Sequence, residues 1–161
     1  MVHENSRKSG LAAFFIIAIT VLVLDQLSKN LVISRFFLHE SVPVIPGFFS
    51  LTYIRNTGAA FGILAGQEAW RHIFFQTVSL LALGAIVYLF WTSRRDALAL
   101  WGASLVFGGA AGNLIDRIRF GYVVDFLDFF LGRYHWPAFN IADSAITIGA
   151  FVLAFKFLRE Q

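Results

Sequence analysis

From Leu11 to Asn30 the chain reads LAAFFIIAITVLVLDQLSKN. Its first part carries no charge at all; then Asp25 and Lys29 arrive one helical turn apart, in the acid-before-base order that favours an ion pair on a helix. A helix that crosses the hydrocarbon core of a bilayer needs about 20 mostly apolar residues. Residues 11–30 meet that requirement, and so do residues 72–91, 97–115 and 139–158 further along the chain. Four spans is therefore the expected count.

Composition agrees with this reading. Of the 161 residues, 58% are hydrophobic and 14% charged, whereas soluble domains carry about 25% charged residues. Such a chain is neither disordered, for which it has too much apolar surface, nor a nucleic-acid binder, for which it lacks dense Lys/Arg patches. With no Cys it has no disulfide, thiolate metal ligand or cysteine nucleophile of its own. Arg7 and Lys8 precede the first apolar run as they would in a cleaved leader. However, no small-x-small cleavage site follows, and the run ends in Asp25, Gln26 and Lys29, so it is expected to stay as a span.

The third apolar stretch is the richest in small residues, with Gly102, Gly108, Gly109, Ala110, Ala111 and Gly112, and should lie centrally because such residues let helices approach closely. Between the first two spans, Pro43, Pro46 and Gly47 punctuate a stretch whose residues Phe49 to Arg55 are rich in β-branched and aromatic types. The expected fold is an all-α integral membrane protein: a four transmembrane helix bundle in a single membrane domain, 1–161, with a small β-rich region at about 36–66 outside the bilayer. Both termini then share a side with the short 92–96 turn. Arg94 and Arg95 in that turn favour the cytoplasm for it, although Arg35, Arg55, Arg71, Arg117, Arg119 and Arg133 on the other side keep a plain count of basic residues from deciding.

Ionisable residues at a membrane span are functional candidates by default, and three clusters occur at the same end of their helices. The first is Asp25 with Lys29, read either as a span-end ion pair or as a brace for a reactive residue. The second starts at Asn113, Asp116 and Arg117, whose i, i+3, i+4 spacing places them on one helix face where Arg117 is expected to pair with Asp116. It continues to Asp125, set among Val123, Val124 and Phe126, an apolar setting that raises a carboxyl pKa by desolvation. Asp128 reads as a solvated loop acid. The third cluster opens the last span, with Pro137 suited to a helix start and Asn140 and Asp143 sharing a face. Asn140 also fits a simple N-cap, and Asp143 falls at the positive end of the helix dipole, a setting that suits a negative side chain.

Asp125 and Asp143 together make a dyad in which one carboxyl leans toward neutral and the other toward charge, the arrangement that hydrolyses peptides by activating water against a polarised carbonyl. Asp143 is read as the base and Asp125 as the acid. No Gly-x-Ser-x-Gly turn and no His-Glu-x-x-His helix is present, so serine and zinc peptidase chemistry lack their signatures. His135 beside Trp136 reads as an interface residue, not a ligand.

Five blocks then line up in order: Asp25-Gln26 with Lys29; Arg55-Asn56-Thr57-Gly58-Ala59-Ala60-Phe61-Gly62; Gly112-Asn113-Leu114-Ile115-Asp116-Arg117; Gly121 with Val123-Val124-Asp125-Phe126; and Phe139-Asn140-Ile141-Ala142-Asp143. In this order, between four spans, the chain resembles the lipoprotein signal peptidases, also called signal peptidase II. The resemblance implies a multi-pass enzyme of the bacterial inner membrane with cytoplasmic termini and an extracytoplasmic β-rich region. It places the catalytic pair on Asp125 and Asp143 and makes Asn56, Gly58, Asn113, Asp116, Arg117, Asn140, Asp25 and Lys29 substrate contacts or supports that orient the acids. The implied substrates are diacylglyceryl-modified prolipoproteins, cut just before the lipidated cysteine. Inhibition by globomycin-type lipopeptides is implied as well. Nothing in the sequence demands a partner subunit, so a monomer is the default expectation, and no cofactor, metal or nucleic acid is expected. The segment Asn56 to Gly62 is expected to cover the site as a lid.

Three other readings compete. A small transporter or proton-conducting protein would spread its acids through the membrane depth, whereas here they gather at one end. A metal-dependent enzyme acting on lipid or phosphate would use Asp116, Asp125, Asp128 and Asp143 to hold Mg²⁺. A purely structural membrane protein would not need either dyad acid.

Overall fold

The computed structural model of the protein describes residues 2–58, 68–93 and 96–160, with side chains at all of these except 2–9, 68, 69 and 71. Arg94 and Arg95, the side chains of Arg7, Lys8 and Arg71, and the part of the expected lid from Ala59 to Gly62 lie outside the described residues. Eight elements follow in order: α1 (Val2–Arg35), β1 (Ser41–Ile45), β2 (Phe49–Asn56), α2 (Glu68–Ser93), α3 (Ala97–Phe120), β3 (Val123–Leu131), β4 (Tyr134–His135) and α4 (Ile141–Arg159). Four helices are long and apolar enough to cross a membrane: Gly10–Arg35, His72–Ser93, Ala97–Phe120 and Ile141–Arg159. At about 1.5 Å per residue the shortest of them reaches roughly 28 Å, close to the hydrocarbon thickness.

Helix ends differ from the sequence expectation for local reasons. α1 does not stop at residue 30, because the polar side chains near its end serve its own backbone. Ser28 Oγ donates to Asp25 O at 2.8 Å, Asn30 Nδ2 to Gln26 O at 2.7 Å and Ser34 Oγ to Leu31 O at 2.9 Å. α3 runs on past 115 until Gly121, whose φ of 77° gives the left-handed cap that a side chain disfavours. Pro137 does not open α4. Phe139 is instead bridged to Leu127 of β3, and the helix begins after Asn140, whose side chain caps the amide of Asp143.

α3 is the hub. Over its most apolar stretch 56% is buried, against 6% for α2. It packs on α4, α1 and α2, whereas α2 packs extensively on α3 alone. Glycines permit the close contacts: a Cβ at Gly108 would meet the carbonyl of Ala18 on α1, and one at Gly109 the carbonyl of Ala142 on α4.

The sheet draws on two segments of the chain where one was expected. Its four antiparallel strands run in the order β1-β2-β3-β4, so half of them come from the segment between α3 and α4 and not from 36–66. β2 pairs with β3, with Ser50 opposite Asp128 and Ile54 opposite Asp125, across a register irregularity between Leu51 and Ile54. The fold is therefore a helix bundle with a small antiparallel sheet, not an all-α one. Asp128 is no solvated loop acid: it is buried on β3 and takes His135 Nδ1 at 2.9 Å. Val32, Tyr53, Val124 and Phe126 form the apolar cluster that seats the sheet on α1.

Candidate active site

Where α1, α3, α4 and the sheet meet, polar side chains are buried together. Asp25, Lys29, Asn113, Asp116, Asp125 and Asn140 are all 5% exposed or less. Burying ions in this way costs several kcal/mol each unless every one finds its partners, and here they do. Lys29 Nζ meets Asp25 Oδ2 at 2.9 Å, Asp116 Oδ2 at 3.0 Å and Asn113 Oδ1 at 2.9 Å, so all three ammonium hydrogens have acceptors.

The two acids around Lys29 are anchors for backbone. Asp25 Oδ1 accepts the amide of Ala142 at 2.9 Å, and Asp116 Oδ2 that of Val124 at 3.1 Å. Ala142 immediately precedes Asp143, and Val124 immediately precedes Asp125. One buried lysine thus holds two carboxylates, and each of those holds the chain one residue before an acid of the predicted dyad.

Three asparagines face the dyad, and the orientation of each amide is fixed by an obligate donor at its oxygen. Asn56 Oδ1 accepts Gly58 N–H at 2.8 Å, and its Nδ2 donates to Asp125 Oδ2 at 2.8 Å. Asn140 Oδ1 accepts Asp143 N–H at 2.9 Å, and its Nδ2 donates to Asp125 Oδ1 at 2.7 Å. Asn113 Oδ1 accepts from Lys29, so its Nδ2 turns to Asp143 Oδ1 at 2.7 Å. Asn140 Nδ2 also lies 3.2 Å from Asn113 Oδ1. A continuous path therefore runs Asp125, Asn140, Asn113, Asp143.

Asp125 sits on β3 with Val123, Val124 and Phe126 buried around it. Burial pushes its carboxyl up to about 7 and the nearby Asp143 adds to the rise, against the opposing pull of the Asn56 and Asn140 amides and of Lys29. Asp143, in the first turn of α4, is half-buried and borders a cavity of about 450 Å³ lined also by Trp136, Pro137, Phe139, Ser144, Thr147 and Ile148. One acid is enclosed; the other faces open space.

Arg117 corrects an expectation. It does not pair with Asp116, which is committed to Lys29 and Val124. Its guanidinium reaches Asn113 O and Ser79 Oγ, both at 3.4 Å, and lies 5.6 Å from the Phe75 ring centre, with its charge acting on Asp143, then Asp125 and, least of the three, Asp116. Gly58 is needed for shape: at φ 76°, with the Phe75 ring where a Cβ would go, it lets the chain turn back so that its amide holds Asn56. Sequence reasoning passed over Gln26, whose Nε2 donates to Asp116 Oδ1 at 2.9 Å and to Gly112 O at 3.2 Å; its place beside Asp25 was the available signal. The four acids of the metal reading go to different partners, and among the described residues no three His, Asp or Glu side chains are grouped to hold a metal ion.

Comparison with known proteins bears on this geometry. The family model described as signal peptidase (SPase) II matches residues 17–159. A lipoprotein signal peptidase of Syntrophus aciditrophicus (strain SB) is 53% identical over 156 residues, covering 96% of this chain and 97% of that protein. One of Geobacter metallireducens is 47% identical, covering 96% and 95%. Two solved structures, each described as a bacterial membrane enzyme, are both 37% identical. They superpose with TM-scores of 0.83 and 0.81, covering 93% and 92% of this chain and 95% and 89% of theirs. On sequence and on fold alike, the chain belongs to the signal peptidase II family.

Proposed function

We propose that this chain is an aspartyl endopeptidase that releases signal peptides from diacylglyceryl-modified prolipoproteins by cutting just before the lipidated cysteine, with Asp125 and Asp143 as its catalytic pair. The observation that carries the proposal is the chain of hydrogen bonds from Asp125 through Asn140 and Asn113 to Asp143, which gathers both carboxyls into one site at the sheet end of the bundle.

Asp143, open to the cavity, takes a proton from water, and the resulting hydroxide adds to the scissile carbonyl carbon. Asp125, whose carboxyl retains a proton near neutral pH, gives that proton to the carbonyl oxygen. As the tetrahedral diol collapses, Asp143 gives its proton to the amide nitrogen, Asp125 takes one back from a diol hydroxyl, and the C–N bond breaks, which restores the pair. The signal peptide leaves with a new carboxylate and the lipidated cysteine with a free amine. Neutral amide donors suit this task. An Arg or Lys on Asp125 would hold it charged, whereas Asn56 and Asn140 keep it oriented in either protonation state.

Asn113, Asn140 and Asn56 orient the acids, Lys29, Asp25 and Asp116 hold the strand and helix that carry them, and Arg117 provides positive charge beside the substrate carbonyl. The sheet lies on the extracytoplasmic side of a bacterial inner membrane with the termini in the cytoplasm. This places the site at the level where a lipid-bearing cysteine presents its peptide bond. The enzyme acts as a monomer, and lipopeptides of the globomycin type block it by imitating substrate at the dyad.

The deciding experiment is cleavage of a purified diacylglyceryl-modified precursor in detergent. Asp125→Asn and Asp143→Asn should each lower turnover about 10³-fold or more while the melting temperature stays near that of wild type. Unimpaired cleavage by either folded variant rules out the dyad.

A further inference from the structure

At the end of α3, apart from the acids, four side chains form a layered stack. Arg119 Cζ lies 4.6 Å from the Phe120 ring centre. Phe120 stacks on Tyr122 with ring centres 5.6 Å apart and planes at 20°, and Arg55 Cζ lies 4.8 Å from the Tyr122 ring centre. The order is guanidinium, ring, ring, guanidinium. Arg55 is held further by Tyr53, whose hydroxyl accepts its Nε–H at 3.1 Å. Cation–π contacts of this kind fix the planes of the guanidinium groups.

Both arginines are exposed, and neither has an acidic partner among the described residues, where the ion pairs belong to Lys29, His135 and Lys156. Arg55 spends Nε on Tyr53, and among the described residues no acceptor takes its two terminal nitrogens. Arg119 gives one nitrogen, at 3.4 Å, to Gln26 Oε1. Rigid planar donors with hydrogens to spare match an oxyanion that accepts in pairs, and phosphate above all.

Location narrows the source of that phosphate. Arg119 is in the last turn of a helix long enough to span a membrane. Its neighbour Ile118 is 66% exposed, and Leu27, next to the Gln26 that Arg119 touches, is 63% exposed. Guanidinium groups beside uncovered apolar side chains fit a molecule with a phosphate and hydrocarbon; a free phosphate ion would make no use of the flank. In the topology proposed above, moreover, these arginines stand on the side that the distribution of Lys and Arg in membrane proteins disfavours, which a resident negative partner offsets.

We infer that the Arg119-Phe120-Tyr122-Arg55 stack is a binding site for the phosphate of an anionic phospholipid head group. The test measures thermal unfolding of the purified protein in detergent with added short-chain phosphatidylglycerol, phosphatidylcholine or inorganic phosphate. Phosphatidylglycerol should raise the melting temperature and the other two should not, and Arg55→Gln with Arg119→Gln should lose at least half of that rise. Should the double variant fail to fold, native mass spectrometry of wild type and Arg119→Gln supplies the comparison, with fewer phosphatidylglycerol adducts expected on the variant. An equal rise with inorganic phosphate, an equal rise with phosphatidylcholine, or an undiminished response or adduct count in the variants overturns the inference. None of these readouts uses peptide cleavage, so the outcome is independent of the peptidase reading.

Discussion

The two ends of the helix bundle are held together by opposite means. Away from the sheet, Phe14, Phe90 and Ala103 form a buried apolar cluster in which the Phe14 ring centre lies 4.3 Å from that of Phe90 and 5.4 Å from that of Phe107. Next to the sheet, Lys29, Asp25, Asp116 and the two buried asparagines assign a partner to nearly every polar atom. Apolar packing is non-directional and tolerates swaps of similar volume. A buried polar network is all or none, because removing one member leaves the others desolvated and unpaired. One end is merely filled, while the other is specified atom by atom.

The contrast is sharpest between two lysines. Lys29→Met leaves Asp25 and Asp116 buried without their cation and should cost about 3–5 kcal/mol of stability. Lys156→Met, at the far end, removes an ion pair with Glu160, whose side chain is 53% exposed, and a contact with the Phe157 ring, and should cost about 1 kcal/mol. Unfolding of both variants in detergent measures the difference, and equal losses would break the comparison.

A smaller effect is expected from pH. The Asp125 carboxyl is pushed up to about 7, so it is protonated below that pH and loses the proton above it. As the acid of the proposed reaction it is needed in its protonated form. Cleavage should fall by about tenfold per pH unit above about 7, and a pH–rate profile that stays level from 7 to 9 removes Asp125 from that role. Asn140→Ala takes away the α4 N-cap and one donor to Asp125. It should cost about 2 kcal/mol or more in unfolding assays, from the lost cap and the lost buried hydrogen bonds together, and lower turnover. Asn140→Asp keeps the cap but sets a second buried carboxyl against Asp125 Oδ1, and should lower both stability and turnover as well. Smallest in its effect on cleavage is Phe14→Leu, which should cost about 1.5 kcal/mol or less and leave turnover by the folded enzyme unchanged. A loss of turnover there would mean that the filled end also tunes the site.

How far the sequence exposed this architecture depends on the element. The four helices were legible because apolar runs of that length have few other uses, and the buried polar cluster beside the sheet was legible because Asp and Asn are conspicuous at span ends. Strand β3 was not. Its residues Val123, Val124, Asp125 and Phe126 are all buried, so the alternation that marks a half-exposed strand is missing, and its partner β2 lies some seventy residues earlier in the chain. For the same reason Asp128 looked like a loop residue. Arg117 was misassigned because spacing along one helix identified Asp116 as its neighbour, whereas Lys29 on another helix had the shorter reach. Local periodicity reports what a helix offers, and only packing decides which offer is taken.

α2 has a consequence of its own. Among the described residues it leans chiefly on α3 and meets α1 through Phe90 against Phe14. Near the sheet, the ring of His72 lies where a Cβ on Gly121 would go, just as that of Phe75 does at Gly58. At this end α2 is therefore fastened by two rings that leave no space for even one added methyl group at either glycine.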